Sequence, residues 1–112
     1  MKLITAIIQP SKFSDVKQAL FDACLGKMTV YNVNGSSQLT HFPDIHRAND
    51  YEPNLFGKVK IELAVNDDCV AQALHIIKNK AKNENVGGGK IYVLDIEQCI
   101  RIRTGEEGPT AI

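Results

Sequence analysis

The chain has 112 residues, with 13 Lys and Arg against 13 Asp and Glu, so its formal net charge is zero. A content of 44% hydrophobic and 23% charged residues is that of one globular domain, 1–112, able to bury a real but thin core. Zero net charge argues against a nucleic-acid binder, and no apolar run approaches a membrane span or a cleavable leader, so neither nucleic acid nor membrane insertion is expected.

Residues 2–9 form an apolar, β-branched run that reads as a buried strand ended by Pro10. Val16, Ala19, Leu20, Ala23 and Cys24 recur at helical spacing, with Gly26 placed to stop the helix. Residues 28–34 read as a strand. Residues 36–57 show no sustained period and contain Pro43 and Pro53. Loops of that length inside a compact domain are usually functional or mobile, so this one is expected to be mobile. Residues 58–66 alternate, with Val59, Ile61, Leu63 and Val65 on one face and Lys58, Lys60 and Glu62 on the other. Asp67 is placed to cap a second helix whose stripe is Val70, Ala73, Leu74, Ile77 and Ala81. Residues 90–97 read as the last strand. The order β-α-β-β-α-β predicts an α+β, ferredoxin-like sandwich with both helices on one face of an antiparallel sheet.

Cys24, Cys69 and Cys99 are scattered, odd in number and form no CxxC. They read as reduced thiols of a cytoplasmic protein, with Cys24 and Cys99 as small core residues.

Chemistry concentrates late in the chain. Gly87-Gly88-Gly89-Lys90 offers free backbone N–H groups and a cation, and Ile100-Arg101-Ile102-Arg103-Thr104-Gly105-Glu106 places two arginines on one side of an extended segment. The pairing suggests a phosphate site. It is not a Walker loop, because Lys90 enters a strand and no Lys-Ser/Thr pair or helix follows.

With Ile7-Ile8-Gln9-Pro10, Met28-Thr29-Val30, Gly35, Lys58-Val59-Lys60-Ile61-Glu62 and the final Ala111-Ile112, these motifs resemble the PII signal-transduction family almost end to end. The resemblance implies a homotrimer with ATP or ADP in clefts between subunits. It also implies a long loop that docks on a protein partner, such as a membrane transporter or a regulated enzyme. By the same resemblance, Gly87, Gly88, Gly89 and Lys90 would hold phosphates from one subunit, and Arg101 and Arg103 from the next. Thr29, Glu62 and Ala64 would meet the adenine and ribose side, with Gly35, Ser37 and Gln38 at the loop base. Mg with ATP and 2-oxoglutarate is a further effector pair of the family, and Lys58 is the residue that would meet 2-oxoglutarate.

The loop departs from the family pattern. Ser37, Gln38 and Leu39 replace a glycine, a basic residue and the glutamine whose amide oxygen helps hold magnesium. Leucine offers a hard cation no lone pair, which argues against 2-oxoglutarate binding of the family's kind. Gly88 replaces an acidic residue and so removes one negative charge beside the phosphates. Tyr51 stands where many bacterial relatives are uridylylated, and is a candidate modification site. His41 and His46, with Asp44 and Asp50, are weak metal-ligand candidates whose spacing matches no closed site. The Lys78, Lys80, Lys82 run reads as a solvated helix face. A non-enzymatic regulator is therefore expected, with a weak ATPase and a metal-responsive trimer as the alternatives.

Overall fold

Alternation in the first strand builds the sheet. In β1 (Lys2–Ile8), Ile4, Ala6 and Ile8 are almost fully buried, while Leu3 and Ile7 point to the other face and stay half-buried. The computed structural model describes residues 1–36, 55–83 and 89–112. Over these the order is β1, α1 (Phe13–Asp22), β2 (Thr29–Ser36), β3 (Leu55–Val65), α2 (Val70–Lys80) and β4 (Lys90–Asp95). The strands form one antiparallel sheet in the order β2-β3-β1-β4. This is the expected ferredoxin-like arrangement.

Register explains the two faces. Ala6 pairs with Ile61, and Ile4 with Leu63, so the buried residues of β1 and β3 share one side. Val16 and Leu20 of α1 and Ala73 and Ile77 of α2 close that side into a single core. The opposite side carries Leu3, Lys60, Glu62, Ala64, Tyr31, Tyr92 and Leu94 by the same pairing. No described helix covers it. Tyr31, Tyr92 and Leu94 keep 42%, 47% and 52% of their surface exposed. Lys60 bridges Glu62 at 2.9 Å and lies over the Tyr31 ring at 5.3 Å.

The ladder between β2 and β3 runs further than the sequence pattern suggests. Gly35 pairs with Phe56 and Ser36 with Leu55, so the strands persist beyond residue 34 and begin before residue 58. The connecting segment is thereby shortened to 37–54, which lies outside the described residues, as does the expectation of its mobility. At the other end, β4 stops at Asp95, two residues early.

Three local readings are corrected. Helix α1 does not end through Gly26. Cys24 takes φ +60°, the Leu25 N–H donates to Leu20 O at 2.8 Å, and the Cys24 N–H donates to Phe21 O at 3.0 Å. That bond pair is a Schellman motif with Cys24 in the left-handed position usually held by glycine. Cys24 is accordingly exposed, not a core residue. Asp67 makes no side-chain cap. The chain enters α2 through a 3-10 turn (Asp67–Cys69), and the Asp67 carboxylate accepts from the Met1 ammonium at 2.7 Å, which pulls its pKa below the usual carboxylate value.

Cys24→Gly should stabilise the protein. A left-handed residue with a Cβ costs about 1–2 kcal/mol, and glycine's greater freedom in the unfolded chain returns about 0.5–1 kcal/mol of that. The expected net gain is up to about 1.5 kcal/mol, read as a higher urea midpoint with an unchanged m-value. A lower midpoint would mean that the Cys24 side chain makes a contact worth more than the strain.

Candidate functional site

Thr29 pairs directly with Glu62, and Ala64 follows on the same face of β3. Strand periodicity therefore brings these three residues to one place. They line a cleft of about 440 Å³ together with Leu3, Met28 and Cys99. Ala111 and Ile112 close it from the chain's other end. This C-terminal wall is held by polar contacts: Asn66 Nδ2 donates to Pro109 O at 3.1 Å, the Gly108 N–H to Cys99 O at 2.9 Å, and the Arg101 guanidinium to Thr110 O at 3.2 Å. Cys99 is thus half-buried in a cleft wall, where a core position was expected. The roles of Lys27, Met28, Cys99, Ala111 and Ile112 as lining were missed. The one available signal was the apolar Ala111-Ile112 pair after a polar turn.

Gly89 and Lys90 lie elsewhere. Lys90 pairs with Ile7 at the start of β4 and is exposed. Gly89 has φ +92°, and a Cβ built on it would stand 1.8 Å from Ile7 O. Only glycine fits this approach of two backbones. Gly35 sits in β2 with Lys58 against it, a Cβ at Gly35 falling 3.4 Å from Lys58 Cγ. Lys58 is half-buried, and that burial pushes its ammonium pKa down. Ser37, Gln38, Leu39, His41, His46, Tyr51, Gly87 and Gly88 lie outside the described residues.

Strand order keeps the two groups apart. β2 and β4 are opposite edges of the sheet, separated by three interstrand steps, or about 14 Å. Thr29 and Lys90 therefore do not converge within one chain.

The arginine pair departs from the sequence expectation. Residues 101–104 form a turn, bracketed by an isolated bridge between Ile100 and Glu107, so the side chains do not alternate along a strand. The Arg101 N–H donates to Glu106 O at 2.9 Å, and the Gly105 N–H donates to Arg101 O at 2.8 Å. The Arg101 guanidinium meets Glu106 at 3.4 Å. Such a half-exposed ion pair is worth little by itself. Arg103 is exposed and has no hydrogen-bond or ion-pair partner among the described residues. Beside it, Ile102 is 99% exposed.

A family model described as Nitrogen regulatory protein P-II matches residues 1–106. The chain belongs to the P-II family. It is 42% identical over 114 residues to Nitrogen regulatory protein GlnK1 of Methanosarcina mazei, covering 100% of this chain and 97% of that relative. It is 41% identical over 112 residues to Nitrogen regulatory protein P-II of Pasteurella multocida, covering all of both chains. It has the same identity and coverage with Nitrogen regulatory protein P-II 1 of Escherichia coli. These P-II relatives are named as regulators, and the chain is by family a signal-transduction regulator. Among the described residues, no helix of this P-II chain is long and apolar enough to cross a membrane.

Proposed function

We propose that the chain is a cytoplasmic, nucleotide-sensing homotrimer that binds ATP and ADP between subunits and is not itself an enzyme. One observation carries the reading. The residues assigned to the base and ribose line a cleft on the β2–β3 side, and Gly89 and Lys90, assigned to the phosphates, stand at the opposite edge of the sheet. A single subunit thus presents two half-sites. A second copy, set edge to opposite edge, completes each with the other. The uncovered sheet face, with Tyr31, Tyr92 and Leu94, supplies apolar surface for the assembly. Lys90 contributes a point charge, glycine backbone a close approach, and Arg103 a guanidinium fork.

Segment 37–54 follows the end of β2, two residues after Gly35, which the family resemblance sets at the loop base. Its Leu39, Phe42, Ile45 and Tyr51 are apolar material for an interface with a transporter or an enzyme. Nucleotide at its base would bias which arrangements can dock. Mg would accompany ATP, while Leu39 removes the ligand that 2-oxoglutarate synergy needs.

Light scattering should return a mass of three chains at micromolar concentration. Calorimetry should show saturable binding of ATP and ADP, with no gain when Mg and 2-oxoglutarate are added together. A monomer, or no heat with either nucleotide, would overturn the proposal.

A further inference from the structure

We propose that Asn66 is a positioning residue for the base half of the cleft: its amide holds the C-terminal wall in place and so sets how tightly a flat, apolar base is gripped. The inference rests on the nucleotide reading above. Asn66 does not itself line the cleft. It lies two residues beyond Ala64, on the extended chain that leads from β3 towards α2. Its Nδ2 donates to Pro109 O at 3.1 Å. Pro109 belongs to a 3-10 turn (Gly108–Ala111), and Ala111 and Ile112 at the end of that turn close the cleft.

The amide has one workable orientation. Turned over, it would set its oxygen against the Pro109 carbonyl oxygen. In the observed orientation Oδ1 is buried and has no hydrogen-bond partner among the described residues. A buried acceptor left unpaired is costly. An apolar side chain would avoid that cost but could not hold Pro109. The contact to Pro109 is therefore what the polar residue supplies. Its anchor is firm. Asn66 O accepts from the Cys69 N–H at 2.9 Å, and the preceding Val65 pairs with Lys2 of β1. The wall has two other holds, the Gly108 N–H on Cys99 O and the Arg101 guanidinium on Thr110 O. The first is made by backbone alone, and Arg101 is also assigned to phosphate. Asn66 has no second assignment, so its contact serves the wall alone.

Two variants remove the donor: Asn66→Ala, and Asn66→Asp, which keeps the shape of the side chain. In the full chain without nucleotide, both should speed hydrogen exchange at the Gly108 amide, while Leu63 in β3 and Ile77 in α2 exchange as in the wild type. Calorimetry with ADP should show affinity weakened about two- to tenfold, the range that one hydrogen bond supports. Asn66→Gln keeps an amide donor on a longer arm and should bind ADP more tightly than Asn66→Asp. Three results would each overturn this role alone: wild-type exchange at Gly108 in both donor-free variants, wild-type ADP affinity in them, or Asn66→Gln no better than Asn66→Asp. A wild-type chain that binds no ADP would overturn the nucleotide reading and this role with it.

Discussion

Gly89→Ala is expected to destabilise the protein by about 2–5 kcal/mol, more than any other glycine-to-alanine change in the described chain. Two costs add. Alanine at φ +92° pays about 1–2 kcal/mol for a conformation that L residues avoid. Its Cβ would also lie 1.8 Å from Ile7 O and 3.0 Å from Ile7 C, with Ile8 Cα at 3.3 Å. These are backbone atoms of β1, which is hydrogen-bonded to β3 on one side and β4 on the other. A flexible side chain could swing away, but a central strand cannot. The start of β4 would have to move instead, adding roughly 1–3 kcal/mol of overpacking strain. Two controls separate the terms. Gly105 has φ +74° with nothing within 4 Å of a built Cβ, so Gly105→Ala should cost only the conformational part, about 1–2 kcal/mol. Gly57 has open space and an ordinary φ, so Gly57→Ala should fall within about 0.5 kcal/mol of wild type. Urea midpoints at constant m-value give the order. Gly89→Ala proving as stable as Gly105→Ala would show that β4 does not hold this close approach in solution.

Periodicity made most of the fold legible, because burial repeats at the period of the element. Val59, Ile61, Leu63 and Val65 were readable as one face from alternation alone, and all four are buried. Ala73, Ile77 and Ala81 followed from helical spacing in the same way. Element ends were less legible, because they depend on a few hydrogen bonds that carry little composition. Gly26 looked like the stop of α1, yet the left-handed residue is Cys24, two positions earlier, where no side-chain preference announces it. Asp67 looked like a cap, and its carboxylate is held by a group 66 positions away in the chain. The same division holds at the site. Thr29, Glu62 and Ala64 share a cleft because strand period places them there. Arg101 and Arg103 were given a strand's alternation, but a turn stabilised by Glu106 and Thr110 intervenes, and such short-range polar pairing has no period to read. The separation of Thr29 from Lys90 follows from strand order, which pairwise motif spacing does not encode.

Arg103→Ala is expected to weaken ATP and ADP binding about 10- to 150-fold, the loss of one charge-assisted contact of roughly 1.5–3 kcal/mol. Arg103 is a cleaner probe than Arg101. The Arg101 side chain bonds to Glu106 and Thr110 and thereby braces the C-terminal wall of the cleft. Its removal would mix a lost ligand contact with a loosened wall. Arg103 has no such partner among the described residues, so its replacement should leave the unfolding midpoint unchanged while affinity falls. Arg103→Lys refines the assignment. Lysine keeps the charge but loses the planar fork that grips two phosphate oxygens at once, so its affinity should lie between wild type and alanine. Lys90→Ala should cost a similar factor from the other half-site. Because the proposed cleft joins two subunits, mixing Lys90→Ala chains with Arg103→Ala chains should restore intact sites in hybrid trimers where the unmodified halves meet. Calorimetry on the separate variants and on the refolded mixture reads both effects. Unchanged nucleotide affinity in Arg103→Ala would remove this residue from the site. Failure of the mixture to regain tight sites, with each variant alone weak, would mean that Lys90 and Arg103 act within one chain, against the separation of half-sites on which the shared cleft rests.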